Sequence, residues 1–237
     1  MKKTLGVIGG MGPMATACFM EQVIRMTRAQ RDQDHLDMMI RCCPSVPDRT
    51  AYLLTKTGPS PVPALRRAGQ ALIRAGAEIL AVPCVTAHCF LRELELPVLD
   101  GVAASARILR EQGIRRVGLL ATDGTRQCGY FEETLKARGI TAVFPEAEDQ
   151  AALMDIIYRQ LKRGCPVSAD RFRAIAGRLR SRGAEALILG CTELSLLRRD
   201  CPLGPGTLDV LEVLARESVL ACGASLRKEY ERGGDLL

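Results

Sequence analysis

The sequence predicts an α/β protein: two similar parallel-sheet α/β domains, related by a pseudo-repeat, with a site in the cleft between them. Three observations predict it. Short apolar runs alternate with longer amphipathic stretches. The alternation restarts halfway along the chain. Two apolar runs, AEILAVPC (77–84) and EALILGC (185–191), end alike, on a cysteine with a threonine one or two residues beyond it.

TLGVIG (4–9) is apolar throughout and ends in glycines, as a strand buried on both faces does. From Met14 to Thr27, Phe19, Val23 and Met26 fall at helical spacing. LDMMIRC (36–42) is a second strand. Leu65, Ala68 and Leu72 mark a helix that stops near Gly76. AEILAVPC is the third strand, PVLD (97–100) a shorter one, and a helix follows over 102–112. RRVGLLAT (115–122) then resembles the opening strand, and a helix covers 129–138. TAVFP (141–145) is a strand, helices follow around 150–163 and 170–182, and EALILGC is another strand. GTLDVLEVLA (206–215) echoes PVLDGVAASA (97–106). These echoes set a first domain over 1–99 and a second over 115–207, with a last helix from 208 to about 228 crossing back to the first.

Composition excludes several classes. Hydrophobic content of 47% and charged content of 25% fit a globular protein, with disorder expected only in the tail, ERGGDLL. No apolar run approaches the roughly 20 residues of a membrane span, and MKKTLGVIGG reads as a strand, not a signal peptide. The net charge of +6 is scattered along helices, and 4% aromatics with no Trp leaves little for base stacking, so nucleic acid is not the expected partner. A small anionic substrate suits the charge. With no export signal, the ten cysteines are expected in the cytoplasm as reduced thiols, most of them small buried hydrophobes. No CxxC pair and no Cys/His cluster at zinc spacing occurs, so no metal is expected.

Parallel strands place ligand-binding loops at their carboxyl ends. Cys84 and Cys191 hold that position in the two halves, so one thiol approaches a shared cleft from each side. The plain alternative is two core cysteines. Two opposed thiols suit inversion of a stereocentre. A thiolate removes a proton beside a carboxylate, and the opposite thiol returns one to the other face. The roles exchange for the reverse reaction, which explains like residues on both sides.

GGMGPMAT (9–16), DQDH (32–35), PDRT (47–50), PCVTAH (83–88) and GCTEL (190–194) together resemble the aspartate/glutamate racemases that work without pyridoxal phosphate, in that family's order and over nearly the whole chain. The resemblance implies a cofactor-independent amino acid racemase of two α/β halves, with Cys84 and Cys191 as acid and base and commonly a homodimer. Met11 and Gly12 read as a backbone approach to substrate at a helix start. The loose dinucleotide match at Gly10, Gly12 and Ala15 lacks a following acidic residue. Arg49 lies in a loop flagged by Pro47; alone it reads as an exposed arginine tied to Asp48, and the resemblance makes it a carboxylate fork. Lys162 is implied as a second cation for a side-chain carboxylate, or is a surface lysine at a helix end. Thr86, Thr192, Thr122 and Thr125 offer hydroxyls to the substrate, or are caps and turns. Glu193 accepts from the substrate ammonium or biases Cys191, or is an acid in a helix's first turn. His88 reads as structural, and His35 as ordering its loop.

Two positions depart from the family pattern. Val85 stands where Asn usually follows the first cysteine, and Cys43 where Asn precedes the first proline of the PxxPDRT loop. Both remove polar groups from the expected cleft and bear on which acidic amino acid is taken, aspartate and glutamate being the first expectations. Two other readings stay open: a decarboxylase or cis–trans isomerase of a small dicarboxylic acid, and a non-catalytic binder.

Overall fold

The computed structural model describes residues 2–201 and 203–231, without the side chains of residues 199 and 200. The ERGGDLL tail lies outside the described residues from 232 onward. In the first half, β1 (Leu5–Gly9), α1 (Pro13–Met26), β2 (Met38–Cys42), α2 (Arg49–Thr55), α3 (Val62–Arg74), β3 (Ile79–Ala81), α4 (Leu91–Leu94) and α5 (Gly101–Glu111) follow one another. In the second come β4 (Arg116–Ala121), α6 (Asp123–Cys128), α7 (Tyr130–Lys136), β5 (Thr141–Val143), α8 (Ala147–Asp155), α9 (Ala169–Ser181), β6 (Ala186–Gly190), α10 (Thr192–Asp200), β7 (Thr207–Asp209) and α11 (Val210–Ala221).

The strands form two parallel sheets, ordered β2-β1-β3 and β5-β4-β6-β7. Every residue of β1 and of β6 is buried, which is why both read as unbroken apolar runs. The two orders correspond, with one reduction. Where the second sheet has β7 beside β6, the first has only the bridge Leu80↔Val98, so the strand expected at PVLD shrinks to that bridge. The expected strand to Cys84 likewise stops at Ala81, because Pro83 has no N–H to give a ladder.

Three helices also differ from expectation. The segment around 150–163 is α8 followed by a π turn at 156–160 and a 3-10 turn at 161–163. The last helix is shorter than 208–228: β7 takes its start, and Gly223 at φ +78° follows its end. Residues 49–55 are helical, not a loop, because Asp48 caps the helix by accepting from the Ala51 N–H at 2.7 Å.

One core cluster takes side chains from both halves, among them Leu5, Phe19, Val117, Phe131, Leu208 and Leu214. Phe19 is fully buried in it, and truncation to Ala there costs about 3–5 kcal/mol. α11 packs on α1 and α5, and Arg227 N–H donates to the Met26 carbonyl at 2.9 Å, tying the end of the chain to the first half. On the other face of each sheet lies its own core.

The cysteines depart from expectation. Four are buried: Cys84, Cys191, Cys201 and Cys222. Cys89 and Cys128 are paired in a disulfide across the seam of the halves, their Cα atoms 6.2 Å apart, a span such a bond bridges. The expectation of reduced thiols throughout does not hold for that pair. Among the described residues, no helix is long and apolar enough to cross a membrane.

Candidate active site

Each sheet delivers one cysteine to the same place. Cys84 follows β3 and opens a 3-10 turn at Val85–Phe90; Cys191 follows β6 directly and is the N-cap of α10. Both line one narrow cleft of about 10 Å³, room for about one water. Met11, Arg49, Val85, Thr86, Thr122, Lys162, Thr192 and Glu193 line it with them. A wider opening of about 410 Å³ shares Met11, Arg49, Lys162 and Glu193 with this cleft and is also lined by Gly12, Met14, Val46 and Leu196. A separate cavity of about 260 Å³ between α1, α10 and α11 touches neither cysteine.

The loop after β1 is held from within. Thr16 Oγ1 accepts from the Gly10 N–H at 2.9 Å and donates to the Gly12 carbonyl at 3.0 Å. Gly10 has φ +94°, and a Cβ there would stand 2.4 Å from the Cys43 nitrogen, so only glycine passes. A Cβ on Gly12 would meet Glu193 Oε1 at 3.3 Å, which puts this backbone against the second half's acid.

Hydroxyls gather where the halves meet. Thr86 Oγ1 lies 3.0 Å from Thr122 Oγ1 and 2.9 Å from Thr125 Oγ1, and Thr122 and Thr125 are 3.1 Å apart. Thr50 donates to Thr122 at 3.3 Å. Hydroxyl rotors re-aim at little cost, so this cluster can turn donors toward an anion. Thr125 is not among the residues lining the cleft and reaches it through Thr86 and Thr122. Thr122 is also the N-cap of α6, accepting from the Thr125 N–H at 3.2 Å, so its cap reading holds.

Arg49 is only 8% exposed, which corrects its reading as a surface residue. Its NH1 donates to the carbonyls of Pro47 at 3.1 Å and Val46 at 3.3 Å, while its buried Nε has no partner. Burial alone would lower its pKa; Cys84 and Asp48 reverse that, and the net direction is up. The guanidinium is therefore charged and carries an unused donor. Lys162 is exposed and lies 4.0 Å over the Tyr158 ring.

Burial pushes the Cys191 thiol well up, and Glu193 adds to this through its charge and by accepting the S–H at 3.0 Å. Glu193 is itself buried in the first turn of α10. His88 is buried in the turn after Cys84, and neither it nor His35 lines the cleft.

Sequence reasoning missed Thr50 and Tyr158, which also line the cleft. Tyr158 stands four residues before Lys162, the spacing that puts two side chains on one helical face, and this is a signal the sequence carries. Thr50 adjoins Arg49 and has no signal of its own.

Comparison with known proteins places this geometry. The broad specificity amino-acid racemase RacX of Bacillus subtilis (strain 168) is 26% identical over 159 residues, covering 62% of this chain and 66% of that protein. The chain thus spans a little under two thirds of the length of the curated relatives it matches. The solved aspartate racemase of Picrophilus torridus aligns over 99% of this chain and 100% of its own, with a TM-score of 0.83 and 28% identity. An aspartate racemase homologue from Pyrococcus horikoshii OT3 covers 94% of this chain and 99% of its own, at a TM-score of 0.73 and 27% identity. Residues 8–217 match the Asp/Glu/Hydantoin racemase family, and the chain belongs to it.

Proposed function

We propose that the protein is a cofactor-independent amino acid racemase that acts on amino acids with an acidic side chain, with Cys84 and Cys191 as its paired acid and base. One observation carries the reading: cysteines that follow corresponding strands of two like sheets line a single narrow cleft beside a buried arginine with an unused donor. The racemase names of the relatives support the reaction class, and the aspartate racemase name of the Picrophilus protein supports the acidic substrate.

In the forward direction the thiolate on one face takes the α-proton, leaving the electron pair on carbon. The thiol on the other face gives its proton to that carbon. No net proton is consumed, and the two sulfurs end with exchanged protonation states. Turnover of the opposite enantiomer, or exchange with water, resets them. Since burial and Glu193 hold Cys191 as a thiol, the direction ready at rest has Cys191 as acid and Cys84 as base. Arg49 and the threonine hydroxyls hold carboxylate, Lys162 faces the side-chain carboxylate at the opening, and Glu193 accepts from the ammonium.

The test is a chiral assay of the protein amino acids and a few acidic analogues in D2O without added cofactor. One enantiomer of an acidic amino acid should gain α-deuterium and appear as its mirror image. Cys84→Ser and Cys191→Ser should each lower racemisation by orders of magnitude. Unchanged racemisation in either variant would remove the two-thiol mechanism.

A further inference from the structure

His88 lies four residues after Cys84, and Ser195 four after Cys191. Asp100 and Asp209 are likewise matched, each capping the helix that follows the next strand position. In the second half, Ser195 Oγ donates to Asp209 Oδ1 at 2.7 Å, fastening α10, whose N-cap is Cys191, to the start of α11. In the first half an imidazole makes the equivalent tie. His88 Nδ1 is 3.0 Å from the Cys84 carbonyl oxygen, and the Gly101 N–H points at His88 Nε2 at 3.2 Å.

The partners fix the tautomer. A carbonyl oxygen only accepts, so Nδ1 carries the hydrogen. A backbone N–H only donates, so Nε2 presents its lone pair. Both ring nitrogens are used, and His88 is 2% exposed, so it has no proton to offer the cleft. Burial lowers its pKa, against the opposing pull of Asp100, which keeps the ring neutral. Space is limited too: a Cβ on Gly101 would stand 3.4 Å from Nε2 and from Leu214 Cβ, so helix, ring and turn are set against each other.

We infer that His88 is a positioning residue for Cys84 alone: a neutral strut that holds the backbone of that one cysteine to the N-terminus of α5, while Cys191 is held independently through Ser195. Its catalytic consequence rests on the racemase reading; the strut itself does not. Because enantiomers are equally stable, kcat/KM must be equal in the two directions, and a fault at either cysteine lowers both. The fault is located by the isotope effect. Misplacing Cys84 should make its proton transfer limiting. The α-deuterium effect then rises for the enantiomer Cys84 deprotonates and falls toward unity for the other.

The experiment uses His88→Leu, His88→Asn and His88→Gln in the full chain. Iodoacetamide labelling resolved by peptide mass spectrometry gives the ratio of Cys84 to Cys191 alkylation rates, with no substrate present. His88→Leu should change that ratio about fivefold or more and lower racemisation by about 10²-fold, the scale of a displacement of about 1 Å. Asn places an amide N–H near the Nδ1 position but leaves the Gly101 N–H untied, so it should recover part of the ratio; Gln, which reaches only the Gly101 side and not the Cys84 carbonyl, should recover none. Direction-resolved isotope effects should split as above in His88→Leu. Should the Leu variant fail to fold, the contrast of Asn with Gln decides. An unchanged ratio, equal changes at both cysteines, or rescue by Gln rather than Asn would overturn the inference. Absence of racemisation by the wild type would defeat the racemase reading while the alkylation ratio still tests the strut.

Discussion

Arg49→Met separates a ligand-binding arginine from a structural one, because the two roles predict opposite effects on stability. The side chain is 8% exposed and its Nε has no partner. Taking an ion out of water costs several kcal/mol, and an unused donor adds to that. Its bonds to the Val46 and Pro47 carbonyls, at 3.3 and 3.1 Å, return about 1.5–3 kcal/mol each, and the charges of Cys84 and Asp48 offset more of the cost. Met fills a similar volume without charge. Urea denaturation without substrate should therefore find the variant within about 1 kcal/mol of wild type, or more stable. Binding should move the other way. Hydrogen bonds to a charged group are worth about 1.5–3 kcal/mol, so KM should rise about tenfold to 150-fold. An acidic amino acid at about 100 times its wild-type Kd should stabilise wild type by about 2.7 kcal/mol and the variant by only about 0.3–1.4 kcal/mol at that concentration. Arg49→Lys keeps the charge but not the fork and should fall between. If Arg49→Met lost more than about 2 kcal/mol of stability while KM stayed put, the arginine would be a strut and its unused donor meaningless.

Cys128→Ser releases a link spanning 39 residues; the chain-entropy relation gives about 4 kcal/mol, so denaturation of wild type should shift on adding reductant and that of the variant should not. Identical curves for wild type with and without reductant would exclude the bridge. Asp209 is buried with its pKa raised to about 7, burial first and Glu212 next, despite the bonds from Ser195 and the Leu211 N–H. Its folded value lies above its unfolded one, so it favours the fold at low pH, and that contribution is lost as pH rises from about 4 through 7. Asp209→Asn keeps an acceptor, so it should gain on wild type at pH 8 relative to pH 4 by chemical denaturation, and a pH-independent difference would contradict the shift. A Cβ on Gly124 would come 2.6 Å from Thr50 Cα, so Gly124→Ala should cost about 1–3 kcal/mol and lower turnover by prying α2 from α6; wild-type stability and rate would show that the seam yields.

The two-sheet plan was legible because parallel strands are buried on both faces. TLGVIG, RRVGLLAT and EALILGC each carry an apolar run through the residues that pair, broken only by Arg116 at the start of β4, and the intervening helices carry their own period. Cys84 and Cys191 were legible because each follows an apolar run, Cys191 directly after β6 and Cys84 just beyond the end of β3 at Ala81. What the sequence hid was whatever depends on a single cap or on docking of the halves. Asp48 after Pro47 reads equally as turn or N-cap, and a seven-residue helix is too short for its period to decide. Cys89 and Cys128 carry no spacing signal, since their meeting is set by how the 3-10 turn settles against α6. The threonine cluster has the same origin: Thr50, Thr86 and Thr122 come from three separate segments and touch only once the halves close.

The repeat brings sulfur to equivalent points, but its surroundings are not equivalent, and the proposed two-thiol chemistry gives that difference a use. On the proposed two-thiol reading, one proton sits on one sulfur and not on the other at each moment. A site with identical surroundings would leave that proton shared between two equal positions. Here Glu193 accepts the S–H of Cys191, while Arg49 presents a cation on the side of Cys84. Acid and cation are thus placed across the cleft, and on the two-thiol proposal this polarity favours the proton on Cys191. Neutralising both, with Glu193→Gln and Arg49→Met together, should leave the cleft's shape while removing its polarity. The double variant should then bring the iodoacetamide reactivities of Cys84 and Cys191 closer together than in wild type. Reactivities as far apart as in wild type would place the source of the asymmetry elsewhere in the fold.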